Sequence, residues 1–489
     1  MGIGPALAVT AAAAVVLLAG VIVGGLVLFG VQGLRPEAQV SAATLFDLLK
    51  IAFAVVAGVG GLVALVVAYR RQKVAEAAQV LAEQAEQRAH QVELRALRGE
   101  QREATKLHND RFTTAAGQLG HDSPAVRLAG AHALAGLADD APTRQLRQTC
   151  IDVLCAYLRM PYTPQPVDDA PEAERLAFAG LREVRHTIIR LIGAHLRDDA
   201  AVSWQGHNLD FTGVVFDSGD FAHAVFSDGV VNFGDATFSG GTVSFVAATF
   251  SGGTVSFGDA TFSGGTVDFG DATFSGGTVS FGGAKFSGGM VDFEAAGFYG
   301  GMVDFVGATF SGGMVDFEAA GFTGGTVRFG VARFSGGTVA FGGAKFSGGT
   351  VHFSSATFSG GTVAFGFAAF SGGTVSFVAA TFSGGTVHFD GATFSGGIVD
   401  FGSAWFSGGT VNFGLARFSG GTVAFDKARF SGGTVDLSRP DRWEVPPTGL
   451  LATAPAGLLL PAVAVAVPDP NSGSSGAGEA PPEEAAAGE

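Results

Sequence analysis

The feature that most constrains this chain is a 12-residue unit written 18 times without a gap from Phe226 to Leu437, the last copy cut short. Typical copies are Phe250-Ser-Gly-Gly-Thr-Val-Ser-Phe-Gly-Asp-Ala-Thr261 and Phe262-Ser-Gly-Gly-Thr-Val-Asp-Phe-Gly-Asp-Ala-Thr273. A fixed period of this kind is the signature of a solenoid. Each unit is one small element that buries its apolar face only by stacking on its neighbours. Within the unit, Val243 stands two before Phe245 and Ala248 two before Phe250. Strand geometry alternates faces with period two, so these residues point inward together while Thr242 and Ser244 face water. Gly252-Gly253 supplies the positive-φ turn that a sharp corner requires.

The approach to the array follows a different spacing. Phe211, Phe216, Phe221 and Phe226 are five apart, with Leu209, Val214 and Ala224 two residues before three of them. From Phe226 the spacing alternates seven and five, as though one corner in two had gained a pair of residues. This pattern resembles the pentapeptide-repeat family. The resemblance implies a right-handed parallel β-helix with four sides, an apolar centre and a small residue pointing inward on each. Two features depart from the family pattern: the period is 12, and the Asp or Asn usual just before the centre is often Ser, Asp, Thr or Lys. Two closures are open to the array, a four-sided coil of two units or a flat two-sided coil of one. With strands ~4.8 Å apart they give rods of about 43 Å and about 86 Å. The five-spaced approach favours four sides. At the far end Leu437 replaces Phe, Arg439-Pro440 is expected to stop the ladder, and Trp443 to cover the exposed core.

Ahead of the solenoid the composition changes. Hydrophobic residues make up 47% of the 489 and charged ones only 15%, which suggests a membrane segment. Residues 7–28 and 51–69 are apolar runs of about the ~20 residues needed to cross a bilayer, so residues 1–73 read as a two-helix transmembrane hairpin. A signal peptide is disfavoured for the first run, which lacks a basic leader and is too long. The connecting loop holds Arg35 and Lys50, whereas Arg70, Arg71, Lys73 and Arg88 follow the second run. That bias puts everything after residue 70 in the cytoplasm.

Residues 74–110 are rich in Ala, Gln and Glu and read as a helical stalk, its a/d stripe broken by Arg88 and Arg95. Residues 111–205 read as a small α-helical module docked on the open N-terminal end of the solenoid. Ser123-Pro124 opens one helix there, with Val126, Ala129, Ala133 and Leu137 as its apolar face. Thr149 to Arg159 and Glu172 to Leu196 supply further helices. Residues 206–445 form the β-helix. Residues 446–489 form a cap and an acidic tail, with 449–467 packing on the solenoid end and 469–489 disordered.

No chemistry stands out. Cys150 and Cys155 are five apart on a helix without a second pair, so they read as buried thiols rather than zinc ligands or a disulfide framework. His121, His132, His186 and His195 are scattered, and no nucleophile–base set or phosphate loop accompanies them. No residue is singled out as catalytic, cofactor-binding, metal-ligating or partner-binding; no cofactor is expected. The net charge of −15 argues against direct nucleic-acid binding, which needs a basic face. On the solenoid surface, Thr254, Thr266 and Thr338 form a Thr column that raises an ice-binding reading. The column two residues on (Ser256, Asp268, Asp292, Arg328, Ala340, His352) is too irregular for it. A column of Asp292, Asp304 and Asp316 with Glu294 and Glu318 reads as a solvated acidic stripe rather than a cation site.

As a whole, the chain resembles membrane-anchored bacterial pentapeptide-repeat proteins, the resemblance being carried by residues 111–159 and 206–437. It implies a non-catalytic scaffold for a protein partner, multi-pass in a bacterial inner or plasma membrane, with its β-helix in the cytoplasm. Self-association through the spans or stalk is open to such a chain. The alternative is an acidic DNA-mimic rod that binds a type II topoisomerase. Acid is concentrated between Asp228 and Glu318, while Arg328 to Arg429 is mixed.

Overall fold

The computed structural model describes residues 3–28, 30, 41–162, 165–450 and 454–462. Arg35 and residues 469–489, on which two of the expectations above fall, lie outside the described residues. The chain divides into two compact units, Met1–Glu103 and Ala104–Glu489.

In the first unit, α1 (Ile3–Leu28) is built from Ala, Val, Leu and Gly with no ionisable side chain. The second helix, α2 (Ala42–Leu119), is 78 residues long and runs without a break through the second apolar run and the whole of the expected stalk. Phe46, Ile51, Phe53, Val56 and Leu65 are all bare on its surface. Among the described residues this is the one helix long and apolar enough to cross a membrane.

The second unit begins with the last turns of α2, where His108, Ala115 and Leu119 are buried. These pack with α3 (Pro124–Asp139), α4 (Arg144–Arg159) and α5 (Glu172–His195). Pro124 sits in the first turn of α3 after Ser123, whose side chain makes no capping bond, whereas the Thr143 hydroxyl accepts from Leu146 N at the start of α4. The buried face of α3 is Gly130, Ala131, Leu134, Ala135, Leu137 and Ala138. This corrects the expected face: Leu137 is inside, but Ala129 and Ala133 are exposed. In a helix made almost wholly of small apolar residues, burying bulky Leu134 decides the rotation, and Gly130 is needed because a Cβ there would lie 2.4 Å from Leu119 N.

The solenoid settles the question of closure. Thr261 pairs with Thr237 on one side and Lys285 on the other, a step of 24 residues, in two parallel sheets of 17 strands each. The first coil is shorter: Leu209 pairs with Val231 and Val215 with Thr237, a step of 22, before Gly219 and Val225 begin the regular step of 24. Two 12-residue units therefore make one coil, and about ten coils stack to roughly 43 Å. Each coil contributes four Phe, and each ring stacks on its counterpart in the next coil, as Phe257 on Phe281 at 4.7 Å and 5°. Across the coil the rings meet edge to face, Phe257 against Phe269 at 5.9 Å and 83°. Val255, Phe257, Ala260 and Phe262 are each at most 2% exposed, so the inward set is the expected one.

Two kinds of bend close the coil. At Gly252-Gly253 only Gly253 has positive φ (+62°); Gly252 is required for another reason, since a Cβ on it would lie 1.9 Å from Ser227 O in the coil below. The second bend was not anticipated. Phe257-Gly258-Asp259-Ala260 is a type II turn, with Ala260 N donating to Phe257 O and Asp259 at φ 56°. The same position carries positive φ in coil after coil, at Asp271, Ala295, Ala319, Val331, Phe367 and Leu415 among others.

The far end also needs correction. The ladder does not stop at Arg439-Pro440: Arg442 and Trp443 pair with Arg417 and Phe418, and Leu458 pairs with Val435. Proline removes one donor, but the chain loops out and returns to the edge. Trp443 then covers Phe418 edge-on at 5.1 Å, and Leu458 is buried against the last coil.

These contacts rank the glycines. A Cβ on Gly336 would lie 2.4 Å from Ser311 O, a backbone atom, whereas Gly343, at φ +62°, has nothing within 4 Å of its Cβ site. Gly336→Ala is expected to cost about 3 kcal/mol or more, against about 1 kcal/mol for Gly343→Ala, which bears only the left-handed backbone. Urea titrations followed by circular dichroism compare the two; equal losses would contradict the stacking assigned to the Gly-Gly bend.

Candidate functional site

Among the described residues, the polar clusters sit at the N-terminal end of the solenoid and along its surface. At that end the open edge of the first coil would leave backbone groups unpaired, and the helices supply the missing partners. Val225 N donates to Leu196 O, Arg185 donates to Val215 O at 3.0 Å, Arg197 to Ala222 O at 2.9 Å, and Gln148 to Asn208 O at 2.8 Å.

Two polar groups lock this junction. Trp204 is fully buried, donates Nε1 to Asp139 Oδ1 at 2.9 Å and stacks on His195, whose Nε2 lies 3.1 Å from Asp139 Oδ2. Asp217, from the first coil, accepts from Tyr162 OH at 2.8 Å and meets His186 Nε2 at 2.8 Å. Arg182 Nε is 3.0 Å from Asp217 Oδ2 but is too poorly aligned to donate, so that contact is an ion pair only. Burial pushes the Asp217 carboxyl up, but hydrogen bonds from His186 and Tyr162, with the charges of His186 and Arg182, outweigh it and hold the group below its ordinary value. A cleft of about 650 Å3 opens beside this cluster, lined by Arg175, Phe178, Arg182, His186 and Ser218 among others.

Of the histidines singled out from sequence, His186 and His195 belong to these locks, and His121 and His132 are exposed. Cys150 and Cys155 are both buried and unbridged, Cys150 Sγ lying 3.8 Å from His108 Nε2. Burial pushes their thiols up to about 11 and about 12. Among the described residues no three His, Cys, Asp or Glu side chains converge to hold a metal ion.

Along the solenoid, the 24-residue step divides the expected acidic column in two. Asp268, Asp292 and Asp316 are in register on one sheet; Asp304 lies on the other, between Ser280 and Arg328. Each of these aspartates closes a local turn, as Asp292 Oδ1 accepts from Glu294 N at 2.8 Å and Asp316 Oδ1 from Glu318 N at 2.8 Å. Burial, then the like charges of Asp292, Glu318 and Glu294, push the Asp316 carboxyl up. The Thr column likewise splits, and Met290 and Met314 interrupt one half and Met302 the other.

Sequence reasoning missed one surface feature. The type II turns place a residue in the left-handed region, which suits Gly or Asp and costs a bulky side chain roughly 1–2 kcal/mol. Phe367 (φ 56°) and Leu415 (φ 56°) occupy that position two coils apart on one corner and are 78% and 66% exposed. Val331 (φ 51°) does so on the opposite corner. The signal was available at position ten of the unit, where Gly283, Gly307, Gly343 and Gly391 alternate with other residues.

With this geometry in hand, comparison with known proteins is informative over one stretch. Residues 221–273 match the family described as Pentapeptide repeats, in nine copies. The match spans the change from five-residue spacing to the alternating one, and the coil continues through it without interruption. Family match and solenoid together support a pentapeptide-repeat protein. No curated protein and no solved structure matches the chain.

The two kinds of aspartate have opposite signatures. Asp217→Asn is expected to cost about 2 kcal/mol at pH 7. Because the folded Asp217 carboxyl titrates below its unfolded value, that deficit holds above about pH 4 and shrinks as pH falls further. Asp316→Asn keeps its bond to Glu318 N and removes repulsion, so it is expected to add up to about 1 kcal/mol at pH 7. The Asp316 carboxyl is raised, so this gain disappears below about pH 4. Melting curves between pH 3 and pH 7 measure both; a stabilising Asp217→Asn or a destabilising Asp316→Asn would refute the assignment.

Proposed function

We propose that this chain is a non-catalytic scaffold, a pentapeptide-repeat β-helix held at a membrane and offering its outward columns to a protein partner. The observation that carries the reading is the pairing of two features in one sequence. An apolar helix with every side chain of its crossing stretch unburied finds a low-energy environment in lipid. A solenoid whose inward positions are consumed by packing leaves only a long, rigid surface for function. Repeat solenoids of this kind are typically structural or protein-binding rather than catalytic.

In the finer reading, residues 7–28 and 51–69 both span the inner membrane of a bacterium, as a hairpin. Arg70, Arg71 and Lys73 keep the rest of the chain in the cytoplasm. The coil is right-handed, in keeping with the steric preference of parallel crossovers.

A second reading, the acidic DNA mimic that binds a type II topoisomerase, is favoured by one observation. From Asp210 to Glu318 the solenoid carries 13 acidic side chains against Lys285 alone. Beyond that point Arg328, Arg333, Lys345 and Arg417 break the pattern, which favours the scaffold.

Alkaline carbonate extraction of bacterial membranes tests the tether: the full chain stays in the pellet, and a chain lacking residues 1–73 is released. Crosslinking in membranes followed by capture tests the partner. Envelope proteins are the expected catch, and recovery of topoisomerase subunits instead would overturn the scaffold in favour of mimicry.

A further inference from the structure

Beyond its apolar run, α2 continues as a bare helix: from Arg71 to Glu100 every residue except Leu94 is exposed. The stripe that Arg88 and Arg95 interrupt is one of two that this stretch offers. In the other, Ala75, Ala82, Ala89 and Ala96 recur every seven residues, and Ala78, Ala85, Val92 and Gly99 stand three residues after each of them. That is an a/d seam four heptads long with no charged residue in it. Side chains this small let two helix axes approach closely.

The charges beside the seam decide what fills it. Arg88, Arg95 and Arg102 take the g position of successive heptads, and Glu86, Glu93 and Glu100 take the e position. No carboxylate stands three or four residues from any of these arginines, the spacing at which an ion pair forms along one helix. Lys73 and Glu76, three apart, do meet in that way at 3.8 Å. Glu93 instead follows Arg88 by five residues, and Glu100 follows Arg95 by five. Five is the offset from a g position to the e position it meets on a parallel partner. Two copies side by side therefore set Arg88 against Glu93 and Arg95 against Glu100, each pair formed in both directions. Antiparallel copies would set g against g and e against e, arginine on arginine and glutamate on glutamate. A foreign helix would have to supply the complementary pattern, which a second copy of this chain already carries. A third strand is disfavoured, because methyl side chains would leave the axis of a three-stranded bundle hollow.

From this we infer that residues 75–102 form a parallel two-stranded coiled coil between two copies of the chain. The pairing stands on α2 alone and goes beyond the tether proposed above. The two agree in sense, since copies held by the same apolar run stand the same way up. Alanine buries little area, so the pair gains from a shared bilayer, which raises its effective concentration. Each assembly then offers a partner two solenoids rather than one.

The test uses the full chain in phosphatidylcholine liposomes, with single introduced cysteines oxidised by copper phenanthroline. Cys150 and Cys155 are buried, and the unsubstituted chain gives their background. Ala96→Cys, on the seam, is expected to form a disulfide-linked dimer about tenfold faster than Gln101→Cys on the opposite face. In the Ala96→Cys chain, Arg88→Glu with Arg95→Glu makes both flanks acidic between residues 88 and 100, and Glu93→Arg with Glu100→Arg makes both basic. Each reversal is expected to slow the crosslink about tenfold, and reconstituting the two reversed chains together to restore it. That rescue separates lost pairing from lost folding.

Equal crosslinking at 96 and 101 would overturn the seam, as would a seam crosslink indifferent to the charge reversals. Preference of Ala96→Cys chains for Ala78→Cys chains over one another would overturn the parallel sense. Flotation of the liposomes reads the tether separately. A chain that floats without the crosslink at 96 overturns the pair and leaves the tether standing. A chain that does not float overturns the tether, and its crosslink in solution still decides the pair.

Discussion

Everything in the solenoid depends on one coincidence of lengths. Parallel strands sit ~4.8 Å apart, and the phenylalanine rings stack at 4.7 Å. A single side-chain type repeated at every 24th residue therefore satisfies the ladder and the core together. The Gly-Gly bend follows from the same spacing, because successive bends lie so close that a Cβ on Gly252 would overlap Ser227 O. No single unit buries enough to stand alone, so the constraint is a property of neighbours. It leaves the chain free to vary only where side chains point out.

That separation explains what could be read from the sequence. The inward residues were legible because period-two strand geometry acts within a few positions of each Phe. The number of residues per coil was favoured only by the five-spaced approach, since within the array a 12-residue and a 24-residue closure place the same side chains inside. What decides between them is a contact across the coil, Phe257 on Phe269, and it has no local signature. The type II corners were obscured because most of their left-handed positions hold a residue other than Gly, Asp and Ala being the commonest apart from Gly. The return of the chain to the sheet edge after Pro440 depends on Trp443 and Leu458 meeting Phe418 and Val435, again a long-range event.

The N-terminal junction shows the same limit more sharply. Asp139 meets Trp204 and His195 across 65 and 56 residues, and Asp217 meets Tyr162 across 55. No spacing rule joins such residues, so four scattered histidines could not be sorted in advance into two that lock the cap and two that face solvent. The physical demand behind the junction is nonetheless general: an exposed parallel edge must be covered or paired. Arg185 illustrates how it is met, buried with its guanidinium on Leu158 O and Val215 O and packed 4.2 Å over the Tyr162 ring. A long side chain with several donors can reach from a helix to a carbonyl that no strand will cover.

A rod built this way converts sequence drift into surface pattern with unusual fidelity, because a substitution at one outward position lands directly above its counterpart 24 residues earlier. Repulsion is then as regular as attraction. Asp268, Asp292 and Asp316 stack one coil apart, each held by its own turn, and the most enclosed of them, Asp316, is only 7% exposed. Stability alone would favour neutral residues there, and glycine rather than Phe367 or Leu415 at the left-handed corners. Both features raise the free energy of the fold without serving its core. In a molecule whose inward positions are so uniform, the outward residues that work against folding are the ones whose presence calls for a cause outside the fold.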